Sequence, residues 1–87
     1  MFNQSIWKCD KDNDSFSLTG TNIFDEYILE YSIDNETIKE PINIFITNEK
    51  HALLVNSNRF GRTDIFIFDD NTIEINKKTY KKTINRP

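Results

Sequence analysis

The sequence predicts an all-β fold, a small antiparallel barrel or sandwich of six to eight short strands, and three observations carry that reading. Apolar and polar side chains alternate with period two, most legibly in Tyr27-Ile28-Leu29-Glu30-Tyr31-Ser32-Ile33 and Ile42-Asn43-Ile44-Phe45-Ile46-Thr47. This is the pattern of strands whose two faces meet different surroundings. Thirteen Ile and eight Thr favour extended backbone, because branching at Cβ is accommodated on a pleated surface and crowds a helix. Clusters of Asn and Asp recur at short intervals and supply turns that two Gly and two Pro cannot.

Taken in order, a first strand is expected over residues 4–9, with Trp7 and Cys9 on one face and Ile6 on the other, ending in the turn residues Asp10-Lys11-Asp12-Asn13-Asp14. A second, over 15–21, sets Phe16 and Leu18 against Ser17 and Thr19, with Gly20 at a bulge or at the strand's end. Residues 22–34 support two readings. A short helix over 22–31 gathers Ile23, Phe24, Tyr27, Ile28 and Tyr31 on one stripe with Asn22 as N-cap. A strand, the favoured reading, puts Tyr27, Leu29, Tyr31 and Ile33 on one face and Glu26, Ile28, Glu30, Ser32 and Asp34 on the other.

Further strands are expected over 41–48, 51–56 and 64–68, with a closing hairpin of 72–76 and 79–84 in which Ile73 and Ile75 face Tyr80 and Ile84. Pro41 fits a strand's start or an edge, since it has no N–H to donate. The run Ile65-Phe66-Ile67-Phe68 implies burial on both faces or one face left for a partner, a second copy included. A chain of 87 residues has apolar surface for one core, so residues 1–84 read as a single domain and 85–87 as a frayed tail.

Cys9 is alone, which excludes an intramolecular disulfide. No apolar run approaches the roughly 20 residues that span a bilayer. The first residues lack a basic start and an apolar stretch, so a cytoplasmic location is expected. The weight of Ile, Asn and Lys is that of an AT-rich coding sequence, pointing to a low-GC bacterium or its phage.

Catalysis is not expected. His51 and Cys9 are each single, so a nucleophile–base pair would have to be Cys9 or a Ser with His51. Strand alternation gives no reason to expect either contact, and no glycine-rich loop exists to cradle a phosphate. No cofactor is implied. Asp10, Asp12 and Asp14 begin like a calcium loop, but Ser15 stands where the loop needs Gly and Thr21 where it needs a bidentate Glu, so no metal site is read there.

Charge is divided along the chain: residues 1–40 carry a balance of −6 and residues 41–87 one of +3. Asp25, Glu26, Glu30, Asp34 and Glu36 are candidates for an acidic docking face with Phe45 as its apolar centre, suited to a basic protein surface. Lys77, Lys78, Lys81 and Lys82 with Tyr80 between them form a basic pole, a candidate contact for nucleic acid or a guarded edge strand. The closing segment from Thr72 to Lys82, together with Ile6-Trp7, resembles small bacterial lipocalin-like domains. That resemblance implies a barrel holding an apolar molecule against Trp7, Phe16, Tyr27 and Phe45.

The leading expectation is a small non-enzymatic interaction protein, an inhibitor that blocks a basic, nucleic-acid-handling surface of a partner. An immunity protein or a phage-encoded antagonist of a host defence enzyme, such as an anti-CRISPR, is of this kind. The alternatives are the lipocalin-like ligand barrel and a nucleic-acid-binding module using the lysine hairpin.

Overall fold

A computed structural model describes residues 1–83 of the chain. Eight strands follow one another: β1 (Ser5–Cys9), β2 (Ser15–Gly20), β3 (Glu26–Ile33), β4 (Glu36–Asn48), β5 (His51–Val55), β6 (Thr63–Asp69), β7 (Thr72–Ile75) and β8 (Lys78–Thr83). Each pairs antiparallel with the next, and β8 returns to β1 through Ile6 opposite Thr83 and Cys9 opposite Tyr80, closing an up-and-down barrel. Closure removes the open sheet edges that two packed sheets would leave. Ile84 and the expected tail over 85–87 lie outside the described residues.

The ambiguity at 22–31 resolves as strand. Glu26–Ile33 is laddered on both sides, to β2 through Phe16 opposite Tyr31 and to β4 through Tyr27 opposite Ile42, and its inward row places Leu29 and Tyr31 in the core. Ile23 and Phe24 precede the strand, so the helical stripe never forms. Two turns of two residues each fix register: Asp34-Asn35 (φ +51° and +67°) and Asn76-Lys77 (φ +51° and +68°). Both central residues are left-handed, the conformation that matches the twist of flanking strands and that Asn and Asp tolerate.

Pro41 sits inside β4 rather than at its start, yet the physical rule behind the expectation holds. β4 meets β5 first at Asn43 opposite Val55, so at Pro41 the strand has a neighbour only on the β3 side and is locally an edge.

Side chains fill the interior. Phe2 closes one end, its ring 6.2 Å from those of Trp7 and Tyr27, and Phe60 covers the other, 5.3 Å from Phe16, which in turn stacks edge-on against Tyr80 at 5.0 Å. Gln4 (φ +52°) turns the chain start back so that Phe2 reaches the core, and Ser5 ties the arrangement by donating to the Phe2 carbonyl and accepting from Trp7 Nε1 at 2.7 Å. The run Ile65-Phe66-Ile67-Phe68 divides: Ile65 and Ile67 are core, and Phe66 and Phe68 face out.

Candidate interaction surface

Alternating connections give the barrel two ends of different character. At the first end lie the β1–β2 turn, the tip of the β3–β4 hairpin, the β5–β6 loop and the β7–β8 turn. Here acids and bases meet. Asp14 accepts a hydrogen bond from the Tyr80 hydroxyl at 2.7 Å and pairs with Arg59 at 2.8 Å and Lys78 at 3.5 Å. Lys78 also reaches Asp12 at 3.0 Å, and Lys81 reaches Asp10 at 3.9 Å. Burial pushes the Asp14 carboxyl up, but the Tyr80 hydrogen bond and the Arg59 and Lys78 charges outweigh it and hold the group below its ordinary value. Burial and the Asp14 carboxylate push the Tyr80 phenol up.

The same end is locked by Glu40, which points inward from β4 and is 7 % exposed. Its carboxylate accepts from the Ser57 hydroxyl at 3.0 Å and from the backbone N–H groups of Asn58 and Arg59 at 2.7 and 3.1 Å, which folds the β5–β6 loop over the barrel mouth.

This geometry corrects the stacking role expected of Tyr80 and pairs two of the lysines with acids. Tyr80 is 1 % exposed, inside the barrel, so its ring cannot stack on a base. Lys78 and Lys81 are held by Asp12, Asp14 and Asp10, and Lys82 lies over the Trp7 ring at 5.4 Å. Lys77 is left exposed in its turn. The ligand-barrel lining is corrected as well: Trp7 and Phe16 are packed core, Phe45 faces outward, and Tyr27 borders an end groove, so the four line no common chamber.

The acidic residues do not gather on one face. Glu26 and Glu30 lie on the outer face of β3, where Lys39 approaches Glu30 at 3.7 Å, while Asp34 and Glu36 sit at the tip of the β3–β4 hairpin, the opposite end from Asp25. What the structure does bring together is Asp25, Glu26 and Phe45, at the second end.

At this second end β3 stops pairing with β4 at Glu26 opposite Asn43, so the last residues of β4 run on with β5 as their sole ladder neighbour. Phe45 and Ile46 on that overhang, with the β2–β3 loop and Tyr27, border an open groove of ≈ 650 Å³. The loop is held by its own bonds: Thr21 N–H donates to the Glu26 carbonyl (3.1 Å), Glu26 N–H to the Ile23 carbonyl (3.1 Å), and Thr21 Oγ1 to Glu26 Oε1 (2.8 Å). Asp25 takes the left-handed conformation at φ +63°, and its carbonyl accepts from Ile44 N–H at 3.0 Å, pinning the loop to β4. On this braced loop Phe24 is 89 % exposed, beside Ile23 and Ile46. Asp25 and Glu26 border the groove, and Glu49, Asp69 and Asp70 lie on the neighbouring turns with Lys50. Among the described residues none of these five carboxylates makes an ion pair.

Sequence reasoning missed Phe24, whose place in an apparent helical stripe disguised a loop-tip residue. It also missed a polar row on the barrel wall, where His51 Nε2 lies 2.8 Å from Asp64 Oδ1 and Nδ1 meets the Thr47 hydroxyl. The order resembles a nucleophile, base and acid, but Thr47 Oγ1 also reaches the His51 carbonyl at 3.1 Å and the groove includes none of the three. The row braces the irregular end of the β4–β5 hairpin. Cys9 is buried on β1, away from His51 on β5.

Among the described residues no helix is long and apolar enough to cross a membrane. Compared with known proteins, the chain matches no family model, no curated protein and no solved structure.

Proposed function

We propose that this chain is a small interaction protein, without catalysis of its own, that covers a basic, nucleic-acid-handling surface of a partner protein and so inhibits it. The observation that carries the reading is Phe24, held 89 % exposed on a hydrogen-bonded loop beside an apolar groove whose bordering carboxylates, Asp25 and Glu26, have no cationic partner among the described residues. Burying such a ring at an interface contributes about 1.5–3 kcal/mol, and a braced loop loses little conformational entropy in doing so. Unpaired acids at its border accelerate encounter with a basic surface and add specificity more than affinity.

The test begins by immobilising the full chain, recovering bound proteins from a bacterial lysate, and repeating the capture with Phe24→Ser and with Asp25→Asn/Glu26→Gln. The expected outcome is a retained protein that binds a labelled oligonucleotide when alone, loses it when the chain is added, and is not retained by either variant. A retained protein that keeps its oligonucleotide in the presence of the chain, or equal retention by wild type and variants, refutes the reading.

A further inference from the structure

Phe66 and Phe68 remain outside the surface described so far, 46 % and 54 % exposed on the outer face of β6. Single exposed apolar residues are ordinary, but several aligned across neighbouring strands, here on either side of the His51–Asp64 pair, are not. Register makes the row: Phe45 stands opposite Leu53, His51 lies two residues from Leu53 on the same face of β5, and His51 stands opposite Phe66. The His51 and Phe66 ring centroids are 5.9 Å apart. Phe45 also borders the barrel-end groove, so groove and wall meet at one side chain.

We infer that the β5–β6 wall is the second part of one docking surface, and that its occupant is a basic segment of a partner protein carrying apolar side chains. The inference rests on the proposed function and extends it to the chemistry of the partner. Charge selects the occupant. Glu74 stands opposite Phe66 on β7 and Asp69 and Asp70 follow Phe68 directly, while Asp64, opposite Leu53 on the same outer face, is already engaged by His51. A second copy related by a twofold axis would set this net-acidic patch against the same net-acidic patch. A segment with Lys or Arg between Leu, Phe or Trp answers both features: its cations meet the carboxylates and the exposed ring faces, and its apolar side chains cover the row.

The probes are synthetic peptides in which Lys or Arg alternates with Leu, Phe or Trp, together with counterparts carrying Asp or Glu in place of the bases and counterparts of Lys and Gly alone. Each is titrated against the full chain, against Phe24→Ser and against Phe66→Ser/Phe68→Ser, whose changed side chains point away from the core. The basic apolar peptide is expected to bind at least about tenfold more tightly than either counterpart, to weaken with salt, and to lose on the order of tenfold in affinity to the wall variant. Unchanged affinity in the wall variant, or equal binding of the Lys/Gly peptide, overturns the inference. So does a dimer in light scattering that the wall variant dissolves, which would make the occupant a second copy. If Phe24→Ser loses the captured partner while the wall variant keeps it, the inference falls and the proposed function stands; if neither variant matters to that partner, both fall.

Discussion

The two ends of this barrel use the same residue types in opposite ways. At the first end Asp14 is answered by Arg59, Lys78 and the Tyr80 hydroxyl, and Glu40 by two backbone N–H groups and a hydroxyl, so these two carboxylates close the fold. Asp12 and Asp10 are paired to Lys78 and Lys81 at the surface, and Asp34 and Glu36, at the exposed hairpin tip, make no ion pair among the described residues. At the second end Asp25, Glu26, Glu49, Asp69 and Asp70 stand without ion pairs among the described residues around exposed Phe24, Phe45 and Ile46. A charge contributes to stability where it is desolvated and matched, and to recognition where it is left in solvent beside apolar surface. Substitution of Asp14 or Glu40 should therefore cost stability, and substitution of the exposed ring of Phe24 should cost binding alone.

The largest stability effect is expected at Glu40. Glu40→Ala leaves the Asn58 and Arg59 N–H groups and the Ser57 hydroxyl without their acceptor under a closed loop, and should destabilise the fold by about 2–4 kcal/mol in urea unfolding. A loss below about 1 kcal/mol would mean that water replaces the carboxylate, and that this end is not the locked one.

Asp14 comes next. Its carboxyl lies below its unfolded value of 3.8, so its contribution is fully present above that pH and is lost as pH falls through the lower folded value. Asp12 behaves alike, held down first by the Asp14 N–H and then by Lys78. Stability should fall on acidification below about pH 4, and Asp14→Asn should flatten that limb while lowering stability at pH 7 by about 1–2 kcal/mol. Lys78, pushed up chiefly by its bond to Asp12, adds a contribution that is full below its unfolded 10.5 and lost as pH rises through the higher folded value. An acid limb identical in wild type and Asp14→Asn would show that the 10–14 turn is solvated instead of tied down.

How much of this was legible in the sequence follows from the range of the forces involved. The strands, the inward placement of Trp7, Phe16 and Leu29, and the turns at 10–14 and 34–36 are local matters of period and turn chemistry, and they read directly. The division into an acidic first half and a basic second half was real arithmetic but poor geography. β8 folds back on β1, so Lys78 and Lys81 meet the 10–14 turn and neutralise it, while Asp69 and Asp70 from the basic half join the end where Asp25 lies. Phe2 as an end plug and Glu40 as a loop anchor gave no local signal either, since each acts through a partner whose position only closure of the barrel defines.

The smallest stability effect is expected at Phe24, and it is the sharpest test of the contrast between the ends. The ring is almost wholly in solvent, and the bonds that shape its loop run through Thr21, Ile23, Asp25 and Glu26. Removing the ring leaves every one of those bonds in place. Phe24→Ser should therefore change unfolding free energy by no more than about 0.5 kcal/mol, the ordinary range for a surface substitution. A loss of 2 kcal/mol or more would require the ring to pack against the fold, as about that much burial energy implies. Phe24 would then belong to the core, and the second end would be a closed end like the first.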